Sequence, residues 1–241
     1  MPKPTSVVNL DPIDRKKQTG PISRLLITRW SGGRPVQKTI PYGHYMFCGP
    51  QGSGKTSSAL WYAEKLSIKY KKKRISIRDE HDKIVKFDEP PTIKLWSNFG
   101  VGGSFKKEEL FDLIDKFDPY ANEIRIIIVD EIHTYFPRGT VTKETGQMIS
   151  KLTAVFSQLR KRNVFLLSTA QVYGRLDKAL REQCLYMVNC RVNIQSKLVN
   201  DFILGDDIIA DELGRWAGNP KFIRVHGLSK IEYDSKRLIR E

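Results

Sequence analysis

Cysteine is scarce in this chain, and the three present, Cys48, Cys184 and Cys190, are an odd number with no C-x-x-C or Cys/His ligand spacing. That excludes a disulfide framework and argues against structural zinc, and it fits a reducing compartment such as cytoplasm. Long apolar runs are missing too. Nothing approaches the roughly 18 consecutive apolar residues of a spanning helix, and the first 25 residues hold no signal-peptide core. The expectation is a protein that neither crosses a membrane nor is exported by that route. No internal repeat is present, and acidic residues are in short supply: 27 Asp plus Glu against 41 Lys plus Arg give a formal charge of +14. Such a surplus favours polyanions, nucleic acid or an acidic membrane surface. A basic surface that serves only solubility is the plainer alternative.

What is there centres on Gly49-Pro-Gln-Gly-Ser-Gly-Lys-Thr56, which meets the G-x-x-x-x-G-K-[ST] phosphate loop at every fixed position. The spacing has a chemical reason. Glycines let backbone N–H groups turn inward around phosphates, Lys55 reaches the β and γ oxygens, and the Thr56 hydroxyl completes a Mg²⁺ shell. Gly49, Pro50, Gln51, Gly52, Ser53, Gly54, Lys55, Thr56 and Ser57 are therefore the expected nucleotide-binding residues. The aromatic run 44–48 before the loop reads as a buried parallel strand, and 57–66 after it as an amphipathic helix. Strand, loop and helix supply the required setting, with the helix dipole adding to the anion site.

At 241 residues the chain has room for one α/β domain. Residues 1–24 read as an extended arm and 25–241 as a single domain with a nucleotide-binding core over about 40–192. The pattern predicts a hairpin built from a strand at 24–30 and a turn at 31–35. A basic cluster at 69–74 leads into a strand at 75–77; DNA is one partner for it, and a solvated helix end is another reading. Residues 79–91 read as a loop, 93–96 as a short strand, 99–103 as flexible, and 106–117 as a helix with one buried face.

A second stretch is as informative as the loop. Residues 124–131 form a β-branched run that ends in Asp130 and Glu131, the form of a buried parallel strand with carboxylates at its tip. Asp130 is placed to hold Mg²⁺ through water, and Glu131 to orient or deprotonate the attacking water. A helix over 148–159, the basic Arg160-Lys-Arg162, and a buried strand over 164–171 follow. That strand ends in Gln171, a polar tip suited to bonding the γ-phosphate or the water. Residues 177–184 read as a helical turn, 185–192 as a strand and 222–225 as a last strand, while the rest of 197–241 carries no further constellation. His81, His133 and His226 lack ligand partners in the sequence.

Together, the phosphate loop, "IIIVDEIHTYFP", and "QLRKRNVFLLSTAQ" followed by "LDKALREQC" resemble the FtsK-HerA superfamily of P-loop ATPases, particularly compact viral genome-packaging ATPases and the Zot-like proteins of filamentous phages. The resemblance implies an α/β, RecA-like, doubly wound and mainly parallel sheet with helices on both faces. It also implies ATP and Mg²⁺ as cofactors, a homo-oligomeric ring, and ATP-driven movement of double-stranded DNA. On that reading Gln171 is the polar sensor, and Arg160 or Arg162, with Arg160 preferred, reaches the neighbouring subunit's nucleotide. Zot-like relatives continue into a membrane-spanning segment that this sequence does not show, so the expectation is a packaging motor with a capsid partner, in host cytoplasm or on the virion. A Zot-like assembly or secretion ATPase working with a separate membrane partner is the second reading. A nucleotide switch or small-molecule kinase is the third, disfavoured by Glu131, since a kinase aligns a hydroxyl and has less need of a water-activating acid.

Overall fold

The computed structural model describes residues 7–9, 39–71, 74–78, 81, 83–116, 118, 120–139, 142–210 and 216–231. The strands in chain order are β1 (Val7–Asn9), β2 (Thr39–Pro41), β3 (Gly43–Cys48), β4 (Ser76–Arg78), β5 (Ile84–Lys86), β6 (Thr92–Ser97), β7 (Gly103–Ser104), β8 (Glu123–Val129), β9 (Val164–Ala170), β10 (Cys184–Val192), β11 (Leu198–Leu204), β12 (Ile209–Ala210), β13 (Trp216–Ala217) and β14 (Phe222–His226). The helices are α1 (Lys55–Tyr70), α2 (Glu109–Asp115), α3 (Ile132–Tyr135), α4 (Lys143–Phe156) and α5 (Lys178–Glu182).

Eight strands make the central sheet, in the order β14-β11-β10-β3-β9-β8-β6-β7. Pairing is parallel from β10 through β7 and antiparallel at β10–β11 and β11–β14. The parallel strands bury both faces, which is why they read as continuous apolar runs. Alternation divides them between two cores. Tyr45, Phe47, Ile126, Ile128, Phe165 and Leu167 pack beneath α1, whereas Met46, Cys48, Ile127, Val129, Leu166 and Ala170 pack with residues of α2, α4 and α5. Helix α1 meets its core through Ala59, Leu60, Ala63, Leu66 and Tyr70, one helical face whose alanines allow close approach to the sheet. Each large apolar side chain so buried contributes about 1.5–3 kcal/mol. The result is a three-layer α/β architecture of mainly parallel type, as the sequence predicts.

Differences lie outside that centre. The expected loop at 79–91 contains β5, which pairs with β4 in a separate antiparallel ribbon. The segment at 99–103 is a hydrogen-bonded turn, with Ser97 Oγ donating to the Val101 carbonyl at 2.8 Å and accepting from its N–H at 2.7 Å. Helix α2 is shorter than expected, and α4 begins five residues before the expected 148. Its start is set by Thr142, whose hydroxyl accepts from the Thr145 N–H at 3.2 Å. In the expected featureless tail, β11 enters the central sheet. Strand β1, inside the expected arm, pairs with β2. The predicted strand at 24–30 and turn at 31–35 lie outside the described residues, as does the rest of the arm. Among the described residues no helix is long and apolar enough to cross a membrane.

Candidate functional site

Strand β3 has β9 on one side and β10 on the other, so its carboxyl end opens a crevice where crossovers leave in opposite directions, the usual ligand site of such sheets. The loop from Gly49 to Gly54 fills that crevice. Gly52 and Gly54 have φ of 78° and 79°, the left-handed region that a side chain rarely adopts. A Cβ on Gly54 would also stand 2.2 Å from Leu198 Cδ2. Gly54 caps α1 with no side-chain hydrogen bond, and the first turn holds no acidic residue, so the positive end of a 16-residue helix faces the crevice. Lys55 is buried, with its ammonium donating to the Pro50 carbonyl at 3.1 Å, folded across the loop it would neutralise.

The acids arrive from β8. Asp130 Oδ1 accepts from Thr56 Oγ1 at 2.8 Å and from Thr169 Oγ1 at 2.6 Å, joining the loop, the end of β8 and the end of β9 through one oxygen. Asn98, just past β6, clamps the Asp130 backbone from both sides. Its Oδ1 accepts from the Asp130 N–H at 2.8 Å, and its Nδ2 donates to the Asp130 carbonyl at 3.0 Å and to the Tyr135 hydroxyl at 3.1 Å. Thr169 also accepts from the Glu131 N–H at 2.8 Å, fixing the second acid relative to the first.

Glu131 has φ 51°, ψ 48°, so the chain turns sharply after Asp130 and the two carboxylates diverge. Its Oε2 is buried without a hydrogen-bond partner among the described residues; His133 Nδ1 lies 3.2 Å away, in ion-pair range but off the line of a hydrogen bond. Burial raises the Glu131 pKa, Lys55 opposes that rise, Asp130 adds to it and Arg175 opposes it. His133 is held below its ordinary value by burial, then by Arg175 and Lys55. Gln171 follows the last residue of β9, and since Cys48 pairs with Ala170 it stands level with the start of the phosphate loop. Exposed Arg175 donates to its Oε1 at 3.1 Å.

Two predicted residues stand apart from this cluster. Arg160 and Arg162 precede β9, whose seven residues span about 20 Å, so they lie at the opposite end of the sheet from their own phosphate loop. Arg162 is committed there: it donates to the Ile114 carbonyl at 3.2 Å, to the Asp115 carbonyl, and to Asp115 Oδ1 at 3.1 Å. Arg160 is exposed and makes no ion pair or side-chain hydrogen bond with another described residue. Asn98, Thr169, His133 and Arg175 escape the sequence reading. Their only local signal is position, a polar residue at or just beyond a strand tip. His226 has a structural explanation, with its ring stacked on Trp61 at 4.0 Å and its Nε2 accepting from Asn200 Nδ2 at 2.7 Å.

The donor set fits a magnesium nucleotide. A hydroxyl and a carboxylate 2.8 Å apart, an orphaned buried carboxylate oxygen, and a loop closed to side chains at Gly54 suit Mg²⁺, a water and phosphates in turn. Thr56 and Asp130 would hold the metal, and the loop with Lys55 the phosphates. The family model of the ATPase family associated with various cellular activities (AAA) matches residues 45–191. Similar solved structures include the N-terminal domain of zonular occludens toxin from Neisseria meningitidis, 16% identical over 79% of this chain and 96% of that one, with a TM-score of 0.48. Another is the genome packaging NTPase B204 from Sulfolobus turreted icosahedral virus 2 in complex with ATP-gammaS, 9% identical over 78% of this chain and 99% of that one, with a TM-score of 0.43. No curated protein matches the chain.

Proposed function

Because the chain belongs to the ATPase family associated with various cellular activities, we propose that it hydrolyses ATP in an assembly of identical subunits and couples each turnover to movement of double-stranded DNA. The observation that carries the hydrolytic part is the join of Thr56 and Thr169 through Asp130 Oδ1, with Glu131 fixed beside it by the same Thr169. This linkage sets the acids against the phosphate loop before any ligand arrives, so little reorganisation is left for the reaction itself. Bound Mg²⁺ would supply charge neutralisation on the phosphate oxygens. Glu131, kept basic by partial burial, takes the proton of the attacking water or orients it. Lys55 and the N-terminus of α1 hold the leaving phosphates.

The DNA part rests on the +14 surplus and on exposed basic side chains away from the crevice, among them Arg74, Lys86, Lys151, Arg160 and Lys161. The finer reading, an FtsK-HerA-type genome-packaging motor with a capsid partner, is supported by the order of motifs in the sequence. The test is ATP turnover with and without double-stranded DNA at 50 and 200 mM salt (about 10³-fold weaker binding at the higher salt for a protein touching six or more phosphates), with the mass of the ATP-bound complex measured in parallel. DNA-stimulated turnover by a multimer, lost with salt, is expected. Turnover indifferent to DNA from a monomer would overturn the motor reading and leave a self-sufficient switch.

A further inference from the structure

The phosphate loop, Asp130, Glu131 and Gln171 fix where a triphosphate ends, and thereby where its nucleoside must lie. All the γ-phosphate chemistry is on the β9–β8 side of β3. The nucleoside end of the same molecule therefore runs the other way, over β10 and β11, which stand about 5 and 10 Å from β3 across the sheet. Those two strands already form the far wall of the loop. A Cβ on Gly49 would meet the Cys190 carbonyl at 2.6 Å, and Leu198 packs against Gly54.

Beyond that wall the β10–β11 hairpin continues past the loop. Register pairs Asn189 with Cys48, so every residue after Asn189 projects above the strand end from which the loop begins. The projecting part is apolar where it is most exposed: Val192 is 46% exposed and Ile194 105%. The turn is firmly built. Asn193 Oδ1 accepts from the Gln195 and Lys197 N–H groups at 3.0 and 2.8 Å, and the Asn193 N–H donates to the Lys197 carbonyl at 2.9 Å. Ile194 is thus presented to solvent by a braced turn, beside a site whose ligand has one large apolar part, its base.

We propose that the 193–197 tip is the nucleoside clamp of this ATPase, with Ile194 and Val192 covering the face of the adenine. The inference rests on the nucleotide reading of the phosphate loop and adds to it the residues that hold the base. A neighbouring subunit is the other conceivable occupant, and the experiment separates the two.

Binding of ATP and of inorganic tripolyphosphate, each with Mg²⁺, is measured by calorimetry on the full chain and on Ile194→Ser and Val192→Ser, with the mass of each protein recorded. The substitutions fall on exposed positions and leave the fold alone. For both variants ATP affinity should fall by about tenfold, the loss expected for uncovering part of an aliphatic contact, while tripolyphosphate affinity and mass stay as in the native chain. Unchanged ATP affinity, or equal losses for both ligands, overturns the clamp. Unchanged ATP affinity with a smaller assembly assigns the tip to a subunit interface. If the native chain binds neither ligand, the phosphate-loop reading fails first and the clamp with it; native binding of tripolyphosphate without any preference for ATP overturns the clamp alone.

Discussion

Glu131 is held in two conditions that a glutamate resists. Its backbone is left-handed at φ 51°, and its carboxylate is partly removed from water, which raises its pKa from 4.5. The second condition has a definite sign. A carboxyl whose folded pKa is raised contributes stability in its protonated form, fully below the ordinary 4.5 and progressively lost as pH climbs through the raised value. Glu131→Gln removes the charge and keeps the shape. In the nucleotide-free protein the variant should therefore melt a few degrees higher at pH 7, up to about 4 °C, with the gap closing below about pH 4. Hydrolysis should fall by about 10²-fold or more while ATP stays bound, because Lys55, Thr56 and Asp130 are untouched. Melting curves across pH and a nucleotide-retention assay check both halves; normal turnover would move the water-activating role to another group. In the native protein the rate should rise with pH along the titration of Glu131, since the carboxylate is the working form.

Arg162 shows what one side chain does for an element. Its guanidinium closes the C-terminus of α2, where carbonyls lack helical partners and the dipole is negative. Arg162→Ala should cost about 1–2 kcal/mol in urea unfolding, and Arg162→Lys should recover only part of that because an ammonium cannot make the forked contact. Arg160→Ala should stay within about 0.5 kcal/mol of the native chain. If the two alanine variants unfold alike, the clamp on α2 contributes nothing. The same elements explain what the sequence discloses. Strands β3, β8 and β9 are legible because burial on both faces leaves unbroken apolar runs, and α1 because it follows the loop. Strand β11 is not, since Asn200 and Asp201 interrupt Leu198–Leu204. Asn200 is tolerated at 0% exposure through bonds to Ser58 and His226, partners distant in the chain. Asn98 is hidden for a similar reason: its work is on Asp130, 32 residues away, and nothing local marks it. The division of labour between Arg160 and Arg162 also depends on α2, which no pattern within residues 160–162 discloses.

Across the whole molecule, Arg160 lies a full strand length from its own phosphate loop, so any part it takes in catalysis is in a neighbour's site. Arg160→Ala subunits should bind ATP normally and hydrolyse it poorly, by a factor on the order of 10³ if the guanidinium meets the transferred phosphoryl group. Mixed in equal amounts with Lys55→Ala subunits, they should regain activity, because about a quarter of head-to-tail interfaces then unite an intact loop with an intact arginine. Turnover across mixing ratios checks this, and no recovery in verified co-assemblies would remove Arg160 from the neighbour's site. All three thiols of the chain are buried, Cys48 and Cys190 beside the phosphate loop and Cys184 at the start of β10, and burial pushes their pKa values up, to about 12 for the latter two. A maleimide dye therefore meets no native target on the folded protein, and one cysteine introduced at an exposed position becomes its sole label. Subunit exchange and ring opening can then be followed by fluorescence in the wild-type background, with no native cysteine removed from beneath the nucleotide.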